Sequence, residues 1–184
     1  MYETTIHNHK LASKKTWRKR GRGLRKEVEH LERLNHPHLV ALVGTYTQAV
    51  WVGMLLHPVA VCDLGVFFED AEAFWSRVVD SEQITRLHQL GYELKSPMKH
   101  RAWLVYSRIV CLVSAVSYLH SQKIQIRHKD LKPSNILLVR NNIYLSDFGS
   151  ATDYSTLSQS ATDGGGGTRR YFSPKVGHIF QARP

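Results

Sequence analysis

The 184-residue sequence predicts an α+β fold in which strands and helices are segregated rather than alternating. Three observations carry that expectation. An amphipathic helical stretch is followed by two short apolar runs of strand character. Three helical stretches then follow with no strand between them. A second pair of short apolar runs closes the patterned part of the chain, ahead of a glycine- and serine-rich stretch. The composition, 42% hydrophobic and 22% charged, is that of a globular chain and excludes a disordered, collagen-like or coiled-coil state.

Residues 22 to 35 have Leu24, Val28, Leu31 and Leu34 at helical spacing with charges between them. His36-Pro37-His38 ends that helix, because a residue before proline avoids the α region. Leu39–Val43 and Val50–Leu56 read as two strands joined through Thr45–Ala49, apolar on both faces and therefore covered on both sides. From Asp63 the period changes, and Leu64, Phe67, Phe68, Ala71, Phe74, Trp75 and Val78 form a helical stripe. Ser81 is the expected cap of a further short helix ending near Gly91. Residues 102 to 120 carry apolar side chains around most of the circumference, from Trp103 and Tyr106 to Val116 and Leu119. That predicts a central, buried helix. Ile136–Val139 and Ile143–Leu145 form a second hairpin about an expected I′ turn at Asn141-Asn142.

Net charge is +10, which raises nucleic acid as a partner. The excess is local, in Lys14, Lys15, Arg18, Lys19, Arg20, Arg22, Arg25 and Lys26. This run reads as a solvated loop, with an anionic partner or nuclear targeting as the minority reading, so nucleic-acid binding is not expected. No apolar run reaches the length of a membrane span (about 18 residues), and none resembles a secretory signal, so no membrane association is expected. Cys62 and Cys111 form no CxxC pair, which argues against a disulfide framework or a zinc site. A reducing location, cytoplasmic or nuclear, fits.

The chemistry concentrates in Ile126-Arg127-His128-Lys129-Asp130-Leu131-Lys132-Pro133-Ser134-Asn135 and, seventeen residues after Asp130, in Asp147-Phe148-Gly149. Asp130 and Lys132, two apart on a loop, can face one pocket. There the carboxylate can accept a hydroxyl proton and the ammonium can neutralise a transferred phosphoryl group. Asn135 and Asp147 lie at the two ends of one hairpin, so their oxygens can converge on a hard cation such as Mg²⁺ bridging phosphates. Gly149 is expected to let the chain turn sharply behind Asp147.

The pattern HxDxKPxN followed by DFG resembles the protein kinases, and Lys132 two after Asp130 resembles their serine/threonine branch. The resemblance covers residues 22 to 175 and implies a kinase-like two-lobe α+β fold. It also implies ATP and Mg²⁺ as cofactors, and a protein substrate with a serine or threonine hydroxyl. It makes Glu27 the partner of a lysine on a preceding strand, Leu56 the gatekeeper, and the Val59 backbone the adenine contact. Asp63 falls near the ribose, Asn135 and Asp147 become the metal ligands, and Thr168 bonds toward Asp130 and Lys132. Leu31, Leu42, His128 and Phe148 match the family's stacked apolar spine.

Several positions depart from the pattern. No GxGxxG precedes residue 22, and no VAIK-like lysine stands out. Lys10, seventeen before Glu27, is the best candidate by distance. Lys129 stands where the motif has arginine, and Ser173-Pro174-Lys175 stands where Ala-Pro-Glu is usual. The expected organisation is a basic segment over 1–21, a partial small lobe over 22–57 lacking its first strands, and a partial large lobe over 58–184 lacking its last helices. Such a domain should expose apolar surface on the 102–120 helix. It would act as a serine/threonine protein kinase or, alternatively, as a catalytically impaired, kinase-like interaction module.

Overall fold

A computed structural model describes residues 2–6, 8–18, 22–92, 98–155 and 168–171. Strands β1 (Tyr2–Ile6) and β2 (His9–Trp17) open the chain, followed by helix α1 (Arg22–Glu32) and strands β3 (Ala41–Gln48) and β4 (Trp51–His57). These strands form one antiparallel sheet in the order β1-β2-β4-β3. The stretch read from sequence as a basic segment and solvated loop is thus largely two strands of the sheet. Charge hid the pattern, because β2 alternates between a lysine-bearing inner face and a lysine-bearing outer face.

The β3–β4 connection is also tighter than expected. Thr45–Gln48 continue the strand, and only Ala49 and Val50 remain in the turn, with Ala49 at a φ of 50°. The sheet is covered fully on one side and only in part on the other, where Leu11 and Ser13 are buried. Met54 and Leu56 point into the core, whereas Trp17 and Trp51 on the other face are exposed.

The chain leaves this sheet at His57 and joins a second one at β5 (Cys62–Asp63), which pairs with β7 (Ile136–Val139). Between them run α2 (Leu64–Trp75), α3 (Ser81–Gln89), α4 (Met98–His120) and β6 (Ile126–Arg127). Asp63 caps α2, accepting hydrogen bonds from the Gly65 and Val66 amides. The cap of α3 is Asp80, one residue before the expected Ser81. Its carboxylate accepts from the Gln83 amide while the Gln83 side chain accepts from the Asp80 amide. Arg86 of α3 binds Asp70 of α2 through two 2.7 Å bonds, fastening these helices together.

Helix α4 buries Arg108, Ala115 and Leu119, but Ile109, Val110 and Val113 are exposed, so it is less covered than its composition predicts. The side chains of Trp103 and Tyr106 lie outside the described residues. Strand β8 (Asn142–Leu145) pairs with β7 across Arg140-Asn141, and only Asn141 has a positive φ, so the expected I′ turn at Asn141-Asn142 is not formed. Strand β9 (Thr152–Asp153) pairs with β6. The two halves meet where the Leu145 amide donates to the His38 carbonyl and the Val40 amide to the Leu145 carbonyl, at 2.9 and 3.1 Å.

Candidate active site

The first group of site residues joins three elements. Lys14 of β2 extends its ammonium to both carboxylate oxygens of Glu27 on α1, at 2.9 and 2.7 Å, and to Asp147 Oδ1 at 2.8 Å. Glu27 is the expected partner residue, but its lysine is Lys14 and not Lys10. Lys10 is 71% exposed and pairs with Glu3 on β1. Position along the strand decides between them: both lysines share one face, but Lys10 pairs with Thr5 of β1 before β4 is reached, whereas Ala12, Lys14 and Thr16 lie opposite Leu56, Met54 and Val52. The legible signal was Leu11-Ala12-Ser13-Lys14, three buried small or apolar residues running into a lysine.

Burial works against the charge on Lys14, but the Glu27 and Asp147 carboxylates outweigh it and hold its pKa above the ordinary lysine value. Burial pushes the Glu27 carboxyl up, and Lys14 offsets only part of that.

The second group surrounds Asp130. Its Oδ1 accepts from the Thr168 amide at 2.8 Å and from the Thr168 hydroxyl at 2.7 Å. Its Oδ2 faces the Lys132 ammonium at 2.8 Å and accepts from Asn135 Nδ2 at 3.1 Å. Lys132 also donates to the Thr168 hydroxyl at 2.9 Å. Burial raises the pKa of Asp130, yet the hydrogen bonds from Lys132, Thr168 and Asn135 prevail and hold it at about 2.

His128 supports this loop from beneath. Its Nε2 bonds the Ser146 carbonyl at 2.9 Å, and its Nδ1 accepts from the Asp130 amide at 3.3 Å, which fixes the Nε2–H tautomer. Burial keeps its pKa below the ordinary histidine value, so the ring is neutral. It meets Phe148 edge-on at 4.9 Å between centroids. Phe148 and Leu31 are buried, and Leu42 packs against the same core.

Asn135 and Asp147 lie at one end of the β7–β8 hairpin. The Ser146 amide and hydroxyl both donate to the Asn135 carbonyl, at 2.9 and 3.0 Å. The Asn135 amide nitrogen also donates to the Asp130 carbonyl at 2.8 Å. Asn135 Oδ1 and Asp147 Oδ2 accept no hydrogen bond among the described residues. Hard oxygen donors of this kind suit Mg²⁺. Asp147 adopts a left-handed φ of 65°. Gly149 does not. A Cβ there would sit 3.4 Å from Asp147 Oδ1 and 3.6 Å from Glu27 Oε2, so the expected sharp turn belongs to Asp147 itself.

Leu56 lies buried on the inner face of β4 opposite Ala12, and the half-buried Val59 packs against the core. Asp63 spends one carboxylate oxygen on capping α2. Arg33, in the turn just after α1, donates to Asp153 of β9 and to the Ile124 carbonyl. That contact had no sequence signal, nor did Asp70–Arg86. Lys129 stands with a left-handed φ of 64°. The glycine run 164–167 and Ser173, Pro174 and Lys175 lie outside the described residues.

The Lys14–Glu27 pair, the hydrogen-bonded Asp130 carboxylate and the left-handed Asp147 form an arrangement of the protein kinase type. The chain matches the protein kinase domain family over residues 4–179 and belongs to that family. It is similar to the probable LRR receptor-like serine/threonine-protein kinase RPK1 of Arabidopsis thaliana, 30% identical over 81% of this chain and 24% of the relative. It is also 30% identical to the serine/threonine-protein kinase chk-2 of Caenorhabditis elegans, over 84% of this chain and 28% of the relative. Receptor-interacting serine/threonine-protein kinase 3 of Homo sapiens is 40% identical over 41% of this chain and 15% of the relative. The chain thus spans under a third of the length of each of these relatives.

Proposed function

We propose that this domain transfers the γ-phosphoryl group of ATP to serine or threonine hydroxyls of a protein substrate. The observation that carries the reading is the convergence of Lys14, Glu27 and Asp147 beside the saturated Asp130–Lys132–Thr168 cluster. Lys14, held by Glu27, would meet the nucleotide's phosphates. Asn135 and Asp147 would hold Mg²⁺, which when bound neutralises charge on the phosphates.

A carboxyl with a pKa of about 2 is a weak base. Asp130 therefore orients the attacking hydroxyl and takes its proton late, which suits a loose, positioning-dominated transfer. Lys132 steadies the transferred group, and Thr168 fixes both side chains. The relatives named as serine/threonine-protein kinases, together with Lys132 on Thr168, favour an alcohol acceptor over a phenol.

The test is incubation with ATP, Mg²⁺ and a generic serine/threonine substrate protein, alongside Asp130→Asn and Asp147→Ala. Phosphate incorporation lost in both variants is expected. Incorporation undiminished by Asp130→Asn would refute the assignment. A second reading, an impaired kinase-like module, is favoured by Lys175, which stands where the Ala-Pro-Glu pattern has its glutamate. It predicts a nucleotide-dependent rise in melting temperature, or none, with no incorporation in any protein tested.

A further inference from the structure

Helices α2 and α4 and the β7–β8 hairpin enclose a cavity of about 100 Å³. Its buried walls include Phe67 of α2, Leu90 after α3, Leu138 of β7 and Ile143 of β8. Phe68 and Ile109, both half-exposed, mark the side on which it meets solvent. Among the described residues, Arg108 of α4 is the one charged residue lining it. Arg108 is 8% exposed and makes no hydrogen bond or ion pair with the described residues. The acids of α2 are otherwise engaged or turned to solvent. Asp70 holds Arg86 through two 2.7 Å bonds, and Glu69 and Glu72 are exposed. Burial works against the Arg108 charge, yet a guanidinium stays protonated. A cation this deeply set without a counter-charge is costly, and an anion entering the cavity would relieve that cost.

We infer that this cavity binds a small aromatic carboxylate, with its ring among Phe67, Phe68 and Tyr92 and its carboxylate on the Arg108 guanidinium. Size sets the apolar part. A closed apolar cavity of about 150 Å³ holds benzene, and this smaller one is open on one side, so it admits a single ring and no larger body. The wall favours an aromatic ring over an alkyl chain. Phe67 meets Tyr92 at 5.3 Å and Phe68 at 5.9 Å between centroids, tilted by 43° and 53°, which offers an inserted ring both edges and faces. Arg108 sets the sign, since a carboxylate matches the fork of a guanidinium through two parallel bonds. None of the lining residues belongs to the Lys14–Glu27–Asp147 group or the Asp130 cluster, so the inference does not depend on the catalytic reading.

The test is titration with benzoate, read by melting temperature and by magnetisation transfer from protein to ligand in NMR, with benzamide and acetate in parallel. A saturable rise in melting temperature is expected, with a dissociation constant on the order of 1 mM, the range for so small a ligand. Benzamide has the shape without the charge and acetate the charge without the ring, and each should bind at least about tenfold more weakly. Arg108→Met keeps an apolar stem and should abolish the benzoate response with no fall in its own melting temperature. Ile109→Trp narrows the half-exposed opening, leaves Arg108 in place and should weaken benzoate at least about tenfold. Raising salt from about 50 to about 300 mM should change the benzoate constant less than about threefold, because a buried pair is little screened. No saturable benzoate binding, equal binding of benzamide or acetate, or unchanged binding by Arg108→Met would each overturn the proposal. So would salt-sensitive binding that Ile109→Trp retains, which marks association with surface cations.

Discussion

Two lysines four residues apart on β2 have opposite surroundings, and residue-level predictions follow. Lys14→Met removes the ammonium that Glu27 and Asp147 share, and should lower phosphotransfer by about a hundredfold or more, the usual cost of one charge-stabilising group. Lys10→Ala removes an exposed pair with Glu3 and should change folding stability by less than about 0.5 kcal/mol. Kinetics and denaturant unfolding of both variants check the contrast.

Asp130 gives a pH prediction. Its folded pKa lies below the ordinary aspartate value, so it contributes stability at neutral pH. That contribution, on the order of 2 kcal/mol, is lost as pH falls from about 4 through about 2. Asp130→Asn should flatten the acid limb of stability against pH. At this scale the motif residues were legible because their chemistry is encoded by spacing within short loops. Lys14 was not, because its identity rests on which part of its strand lies beside β4.

At the level of elements, the helices were legible and their ends less so. Leu24, Val28 and Leu31 mark α1 by period alone, whereas the α3 cap shifted from Ser81 to Asp80, since either residue type can serve and only the Gln83 reciprocal bond selects one. The lysine-rich β2 read as loop because both its faces carry cations and neither shows uninterrupted apolar alternation. Gly53 tests the sheet. A Cβ there would lie 2.5 Å from the Tyr46 ring, which Ser13 holds in place. Gly53→Ala should therefore cost about 1–3 kcal/mol, the usual range for overpacking, and Tyr46→Ala in the same chain should recover part of it. Chemical denaturation of the single and double variants measures the coupling.

For the whole molecule, segregated strands and helices were legible from element order, but the meeting of the two halves was not. That junction depends on contacts between distant residues, such as Leu39 with Leu145 and Arg33 with Asp153. The α4 face offers a test at this scale. Val110 is 71% exposed and Val113 61% exposed, so both are apolar without being covered among the described residues. Val110→Lys/Val113→Lys should leave stability within about 0.5 kcal/mol and reduce concentration-dependent association. Sedimentation velocity at several concentrations reads this directly.

Lys14 sits on the sheet, Glu27 on α1 and Asp147 beyond the β7–β8 hairpin, yet all three meet at one nitrogen. That nitrogen acts as a latch. If α1 swings outward, Lys14 is left to Asp147; if Asp147 turns away, Glu27, 3% exposed, must keep Lys14 alone. Because Arg33, directly after that helix, pairs with Asp153, a swing of α1 would pull on a second tie downstream of Phe148. Rotation of the helix would therefore disturb the strand after Phe148 as well.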